Sequence, residues 1–224
     1  MTALILQARL DSNRLQEKML LPLGGRPLVF RVMEALSFFP ADEKILACTE
    51  DSVSSFAPLA EELRFTLISG PKEDVLARYC IAIRRYGADR IVRATADNPF
   101  VFVDAAVALN SEAAELGADY AGYSGLPYGA GVESVSAEAL LRAEREAKDL
   151  SEREHVCPYL YRHGELFRLH RPLAPLRWQG PELRITVDTA EDYERAQLLY
   201  GKLSSLPADR RNLGGNVIAA GRCE

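Results

Sequence analysis

The sequence has no Cys-x-x-Cys pair and no cluster of histidines. Its four cysteines, Cys48, Cys80, Cys157 and Cys223, stand far apart, and its three histidines are His155, His163 and His170. That spacing argues against a structural zinc centre, and a chain of 224 residues does not suggest a disulfide framework. The cysteines read as reduced thiols. There is no long run of like charge, and the net charge is only -5, which argues against general binding to nucleic acid or to an anionic membrane. A local basic site for a small phosphate ligand stays open. No apolar stretch approaches the roughly 20 residues that cross a bilayer. The opening "MTALILQAR" is too short for the apolar region of a signal peptide and meets Arg9 at once, so the chain reads as a soluble cytoplasmic protein. Also missing are the GxxxxGK[ST] loop, a GxGxxG after the first strand and a GxSxG elbow. P-loop, dinucleotide-binding and α/β-hydrolase readings lose their support with them.

What is there is an alternation. The short apolar runs 3–6, 44–48, 65–69 and 90–95 read as buried strands. Between them, 27–37, 52–63, 73–86 and 103–116 read as helices. In 73–86, Val75, Leu76, Tyr79, Cys80 and Ile83 recur at i, i+3 and i+4 and make one apolar face. Strand–helix alternation predicts an α/β fold with a mostly parallel sheet covered on both faces. The second half is less regular. Residues 128–136 read as an extended segment entered by a glycine turn, and 166–171 and 183–187 as strands. Ser151 and Glu154 have the spacing of a capping box that opens a helix through about His163, and Thr189 with Asp192 that of a cap opening 190–203. Residues 1–203 make one domain in this reading, and 204–224, rich in Gly, Asn and Arg, a loose tail.

Ligands of open α/β sheets bind beyond the carboxyl ends of the strands, and three polar clusters fall there. The first is "QARLDSNRLQEK" (7–18), where Arg9, Arg14 and Lys18 follow the first strand without apolar spacing. Cations and backbone N–H groups in such a loop can cradle a polyphosphate, although a solvated loop with incidental charge has the same composition. The second is "TADNPF" (95–100), where Asp97 is placed to offer carboxylate oxygens to a hard cation such as Mg²⁺, or to form an ordinary turn. The third is "TVDTAED" (186–192), where Asp188 either joins the helix cap or shares a metal with Asp97. His155 is a candidate acid, base or ligand, with a structural hydrogen bond as its default.

Taken in order, these stretches resemble a known family. "QARLDSNRLQEKMLLPLGGRPLVFRV" is similar to the N-terminal signature of the cytidylyltransferases that make CMP-activated sugar acids, the CMP-Kdo and CMP-sialic acid synthetases. The resemblance is strongest to the branch of spore coat polysaccharide biosynthesis protein F. There "EDVLARY" (73–79), the "DNPF" turn, "GVESVSAEAL" (131–140), "SEREHVCPYLYR" (151–162) and "LRITVDTAED" (183–192) have counterparts in the same order, over about residues 3–203. The resemblance implies a Rossmann-like, glycosyltransferase-A-like nucleotidyltransferase fold. It implies transfer of CMP from CTP to a sugar acid with release of pyrophosphate, in surface polysaccharide synthesis. By matching position Arg9, Arg14 and Lys18 would hold the triphosphate, Gln7 would touch the nucleotide, and Arg14, Lys18 and Asp97 would carry the chemistry. Asp97 and Asp188 would hold Mg²⁺. Thr49, Gly70, Asp74 and Arg78 would lie near the base, and Glu133, Arg153 and His155 would read the acceptor. A homodimer is implied as well.

The chain departs from the family where Leu15-Gln16-Glu17-Lys18 stands for the usual Leu-Pro-Gly-Lys, and where Gly131 stands for a frequent Asp. The first change removes a stiff turn and a permissive glycine and adds an anion near the phosphates. Two other readings remain beside this one. A sugar transferase using a nucleotide-sugar donor usually shows an Asp-x-Asp pair, absent here from the strand ends. A nucleotide-binding relative weakened by Glu17 is the other.

Overall fold

The computed structural model describes residues 1–11 and 14–222. β1 (Thr2–Gln7) is followed by a hairpin of two short strands, β2 (Pro22–Leu23) and β3 (Arg26–Pro27), and by α1 (Leu28–Leu36). Gly24 and Gly25 both take positive φ, 56° and 77°, the conformation a two-residue hairpin turn of this hand requires. Next come β4 (Glu43–Thr49), α2 (Val53–Glu62), β5 (Thr66–Gly70), α3 (Val75–Tyr86) and β6 (Arg90–Thr95), in the expected alternation. The second half contributes α4 (Val103–Glu115), β7 (Tyr120–Ala121), β8 (Glu133–Ser136), α5 (Ala137–Glu146), α6 (Leu150–His155), α7 (Pro158–Arg162) and β9 (Leu169–His170). The chain ends in α8 (Ala190–Leu203), α9 (Ala208–Arg211) and α10 (Gly214–Arg222).

Seven strands form one sheet in the order β5-β4-β1-β6-β8-β7-β9. β5, β4, β1 and β6 run parallel, and β8 pairs antiparallel with β6 and with β7. The sheet is thus mixed and mostly parallel, with helices on both faces. Side chains alternate across a strand, so β1 serves both cores. Leu4 and Leu6 pack with α1, α2 and α4, while Ala3 and Ile5 pack with α3 and α5. The strand order reverses at β1, which has β4 and β5 on one side and the later β6 on the other. That opens a crevice beyond Gln7 and Thr95, which are partners in register.

Three expectations for the second half are corrected. The predicted helix 151–163 is two helices, α6 and α7, and its cap is Asp149, which accepts the Ser151 N–H at 2.8 Å, rather than Ser151. Between them Val156 sits at φ 73° and ψ -58°, a γ-turn closed by the Cys157 N–H on the His155 carbonyl at 2.9 Å. Pro158 lacks the N–H that a continuous helix would use, so the break falls just before it. The predicted strand 183–187 is extended but pairs with loops. Ile185 N–H reaches the Tyr128 carbonyl at 2.9 Å, and Val187 N–H reaches the Asp97 carbonyl at 2.8 Å. Of the predicted strand 166–171, only Leu169 and His170 pair with β7.

The expected loose tail is instead folded over its described part. α10 buries Val217 and Ile218. Asn212 donates to the carbonyls of Pro99 and Val101 at 2.9 and 3.1 Å, and Gly214 N–H donates to Asp104 at 2.9 Å. The tail therefore braces the loop that carries Asp97. Gly214 is pressed against aromatic rings. A Cβ there would meet Trp178 Cδ1 at 2.5 Å and Phe102 Cδ2 at 2.6 Å. Gly214→Ala should cost about 1–3 kcal/mol in chemical denaturation. Gly215→Ala, whose Cβ meets nothing within 4 Å, should be neutral or slightly stabilising.

A second cost is local to the loop after β1. Glu17 lies at φ 48° and ψ 30°, the left-handed region, where the family's glycine would be free of strain. A non-glycine residue loses about 1–2 kcal/mol there, and a glycine costs about 0.5–1 kcal/mol in lost chain entropy. Glu17→Gly should therefore stabilise the protein by about 0.5–1 kcal/mol, a rise of about 2 °C in the calorimetric midpoint for a chain of this size. An unchanged or lower midpoint would contradict the assignment of strain.

Candidate functional site

The crevice at the strand ends holds a cavity of about 490 Å³. One wall is the loop after β1, another the turn after β6, and a third the segment that leads into α8. The Val187–Asp97 backbone bond sets the last two side by side, and Thr186 Oγ1 adds a second bond to the Asp97 carbonyl at 3.3 Å. Asp97 and Asp188 are thereby brought to the same wall. Gly129 (φ 99°) closes the arrangement from Tyr128's side, since a Cβ there would lie 2.6 Å from the Thr186 nitrogen.

Two carboxylates so close need positive charge. Lys18, only 8% exposed, supplies it. Its ammonium donates to Asp188 Oδ1 at 3.1 Å, to Asp97 Oδ2 at 3.3 Å and to the Val187 carbonyl at 2.8 Å. Arg14 donates to the same Asp188 oxygen at 3.0 Å and leaves most of its guanidinium in solvent. Arg184 holds the other oxygen, at 3.0 Å, and grips Asp192 through two bonds of 2.9 Å. Asp192 also accepts the backbone N–H groups of Asp188 and Thr189, completing the predicted Thr189 capping box. The Arg184 hydrogen bonds outweigh burial and hold the Asp192 carboxyl far below the usual carboxylate range. Asp188 is thus not the cap; Thr189 is, and Asp192, its reciprocal partner in the capping box, fixes Asp188 from behind.

The other residues expected near the nucleotide in this first stretch, Gln7 and Arg9, also face this cavity. Gln7 projects from the end of β1, where its Oε1 accepts from Tyr79 Oη and Arg93 Nε, each at 3.1 Å. Arg9 faces Glu154 at 3.7 Å, and exposed His155 sits beside that pair on the rim. Ser12 and Asn13, within the same sequence stretch, lie outside the described residues. Arg78 forms the floor. It is 2% exposed and, among the described residues, donates only to the Ala8 carbonyl at 3.4 Å and has no partner for Nε. Burial lowers its pKa from the ordinary arginine value. Gly70 acts through it, since a Cβ there would meet Arg78 Cγ at 2.7 Å.

Other residues expected at the site lie elsewhere. Thr49 is buried in a hydroxyl pair with Ser52 at 2.7 Å. Asp74 caps α3 through the Ala77 N–H at 3.0 Å and binds Arg153 Nε at 2.7 Å. Arg153 also donates to the carbonyls of Glu144 and Ala147, so the pair ties α6 to α3 and α5 and lines neither cavity. Glu133 opens instead onto a second cavity of about 260 Å³, which shares Arg93, Thr95 and Asn98 with the first. It pairs with Arg93 and accepts from Tyr120 Oη at 2.8 Å. Burial opposes the charge on Arg93, but Glu133 outweighs it and keeps the guanidinium protonated. Burial, reinforced by Glu133, pushes the Tyr120 phenol up, so it remains a donor.

Arg93 and Arg184 were not among the residues expected from sequence. Arg93 had a signal, since it is a charge inside the otherwise apolar "RIVRAT" strand; Arg184 had only its nearness to Asp188. Cys48 and Cys80 play no part here. Burial pushes Cys48 up to about 11 and Cys80 up to about 12 and leaves both as inert thiols.

Known proteins share this architecture. The spore coat polysaccharide biosynthesis protein SpsF of Bacillus subtilis (strain 168) is 32% identical over 210 residues, 91% of this chain and 88% of its own. Among solved structures, a cytidylyltransferase from Leptospira borgpetersenii superposes with a TM-score of 0.88 at 22% identity, covering 100% of this chain and 97% of that one. CMP:2-keto-3-deoxy-manno-octonic acid synthetase complexed with CTP superposes with a TM-score of 0.68 at 14% identity, covering 89% and 98%. The cytidylyltransferase profile matches residues 3–207. Taken with the Bacillus relative, that match makes this chain a member of the cytidylyltransferase family and hence a nucleotidyltransferase.

Proposed function

We propose that the protein transfers CMP from CTP to a sugar acid, with release of pyrophosphate, in the synthesis of a surface polysaccharide. The observation that carries this reading is the meeting of Arg14 and Lys18 with Asp97 and Asp188 at one cavity. The acceptor hydroxyl attacks the α-phosphorus. The new O–P bond forms as the bond to the bridging oxygen breaks, pyrophosphate leaves in line, and the hydroxyl proton passes to solvent. Arg14 and Lys18 take the charge that grows on the leaving group, and Arg14, largely exposed, is free to follow it. Arg78 meets the acceptor atoms of the base from the floor. No protein nucleophile is needed, and alignment supplies much of the rate.

The donor set suits a hard divalent cation. Asp97 Oδ2 and Asp188 Oδ1 already converge on one ammonium, and both are carboxylate oxygens. Mg²⁺ bound there would withdraw charge from the α-phosphate. The acceptor fits the second cavity, which opens onto the first beside Arg93. Arg171, exposed on that cavity's wall and stacked on Tyr161 at 5.6 Å, offers a cation to the acid group, since Arg93 is already neutralised by Glu133. Exposed Leu150, Leu173 and Leu176 in the second half favour a homodimer. Use of CTP fits the cytoplasm, and no helix among the described residues is long and apolar enough to cross a membrane.

Two measurements test the reading. In thermal melts with Mg²⁺, CTP should raise the midpoint more than ATP, GTP or UTP, because a ligand stabilises the state it binds. Equal shifts, or a purine preference, would remove the cytidylyl assignment. With CTP and a panel of sugar acids, Asp97→Asn and Asp188→Asn should each slow pyrophosphate release by at least about a hundredfold while the fold survives. A variant that keeps near-normal release returns its aspartate to a structural role. Transfer from a nucleotide sugar without pyrophosphate would instead favour a glycosyltransferase.

A further inference from the structure

The Lys18 ammonium lies where a cation shared by Asp97 and Asp188 would lie. Each carboxylate oxygen is within 3.3 Å of Nζ. A divalent ion bound to both oxygens at roughly 2.1 Å would overlap that ammonium. The position is poorly hydrated: the side chains of Lys18 and Asp188 are 10% and 11% exposed, so water screens little of the repulsion. Both Asp188 oxygens are already engaged by cations, since Arg14 shares Oδ1 with Lys18 and Arg184 holds Oδ2. Across the whole cluster, Lys18, Arg14, Arg184 and Arg195 face Asp97, Asp188 and Asp192, four cations to three carboxylates. A site with that balance attracts an anion before it attracts a metal.

From this geometry, and resting on the reading of Asp97 and Asp188 as metal ligands, we infer that Lys18 is a resident counter-ion. It keeps the divalent cation out until a triphosphate draws its ammonium away. The stem of Lys18 is anchored in the helical turn Lys18–Leu20, and its four carbons allow the head to swing towards phosphates in the same cavity. The triphosphate competes for Arg14 as well, so both carboxylates are uncovered by the ligand that brings the metal with it. Nucleotide and metal therefore enter together, and the nucleotide-free protein ignores metal.

Nucleotide-free Mn²⁺ titration, with free Mn²⁺ followed by electron paramagnetic resonance, tests this. The wild-type protein should bind weakly. Lys18→Met should bind Mn²⁺ on the order of tenfold more tightly or better, because it removes a like charge at contact distance. Lys18→Arg should stay weak, and K18M combined with Asp188→Asn should lose the gain. Equal affinity in the wild type and K18M overturns the inference, as does a gain that survives loss of Asp188. Melting gives a second reading where K18M folds poorly: Mn²⁺ should raise the midpoint of K18M and leave the wild type unmoved, and equal shifts count against the inference. No nucleotide is present, so the result stands apart from whether CTP is the substrate.

Discussion

Two aspartates held side by side in a half-dry crevice repel each other, and much of this structure answers that repulsion. The pair is imposed by backbone: the Val187 N–H reaches the Asp97 carbonyl and leaves Asp188 one residue further on. Charge then follows from two directions. Lys18 comes from the loop after the first strand, Arg14 from the same loop, and Arg184 from the segment itself. Lys18 touches both carboxylates and the Val187 carbonyl, so one side chain knits together three elements far apart in sequence. The C-terminal helices serve the same end at a distance, since Asn212 clamps the carbonyls of the loop behind Asp97.

The sheet was legible because buried parallel strands are written as unbroken apolar runs. "ALIL", "KILAC" and "RIVRAT" fall in β1, β4 and β6, and their helices follow with one apolar face each. That Arg9, Arg14 and Lys18 line the cavity was legible too, because cations in a loop at a strand end have little packing to explain them. What could not be read was anything decided by pairing across the chain. "LRITV" has the composition of a strand, but its N–H groups go to Tyr128 and Asp97, and no periodicity encodes a partner more than fifty residues away in a loop. Ser151 and Glu154 have capping-box spacing, yet Asp149 two residues earlier won the cap. The last residues lack strong amphipathic pattern, and their order comes from Gly214 lying close against Trp178 and Phe102.

Arg153 and Asp74 carry a related lesson. Both were expected at the site from the resemblance, and both are occupied with each other. Their bond joins α6 to the start of α3, and α6 ends in His155, on the cavity rim. A pair of this kind shapes the site by fixing the backbone that presents it. The γ-turn at Val156 works in the same place: a β-branched residue held at positive φ leaves little slack between His155 and the buried Cys157.

Arg93 stands between the two cavities and belongs to both. On one side it is bonded to Gln7, which faces the larger cavity; on the other to Glu133, which faces the smaller. An occupant that shifts this guanidinium from either side changes the wall seen from the other. Thermodynamic linkage makes that influence reciprocal: whatever factor the first ligand contributes to the affinity of the second, the second returns to the first. Arg93 therefore gives the two cavities one common wall, and coupling between occupants of the two would run through its guanidinium.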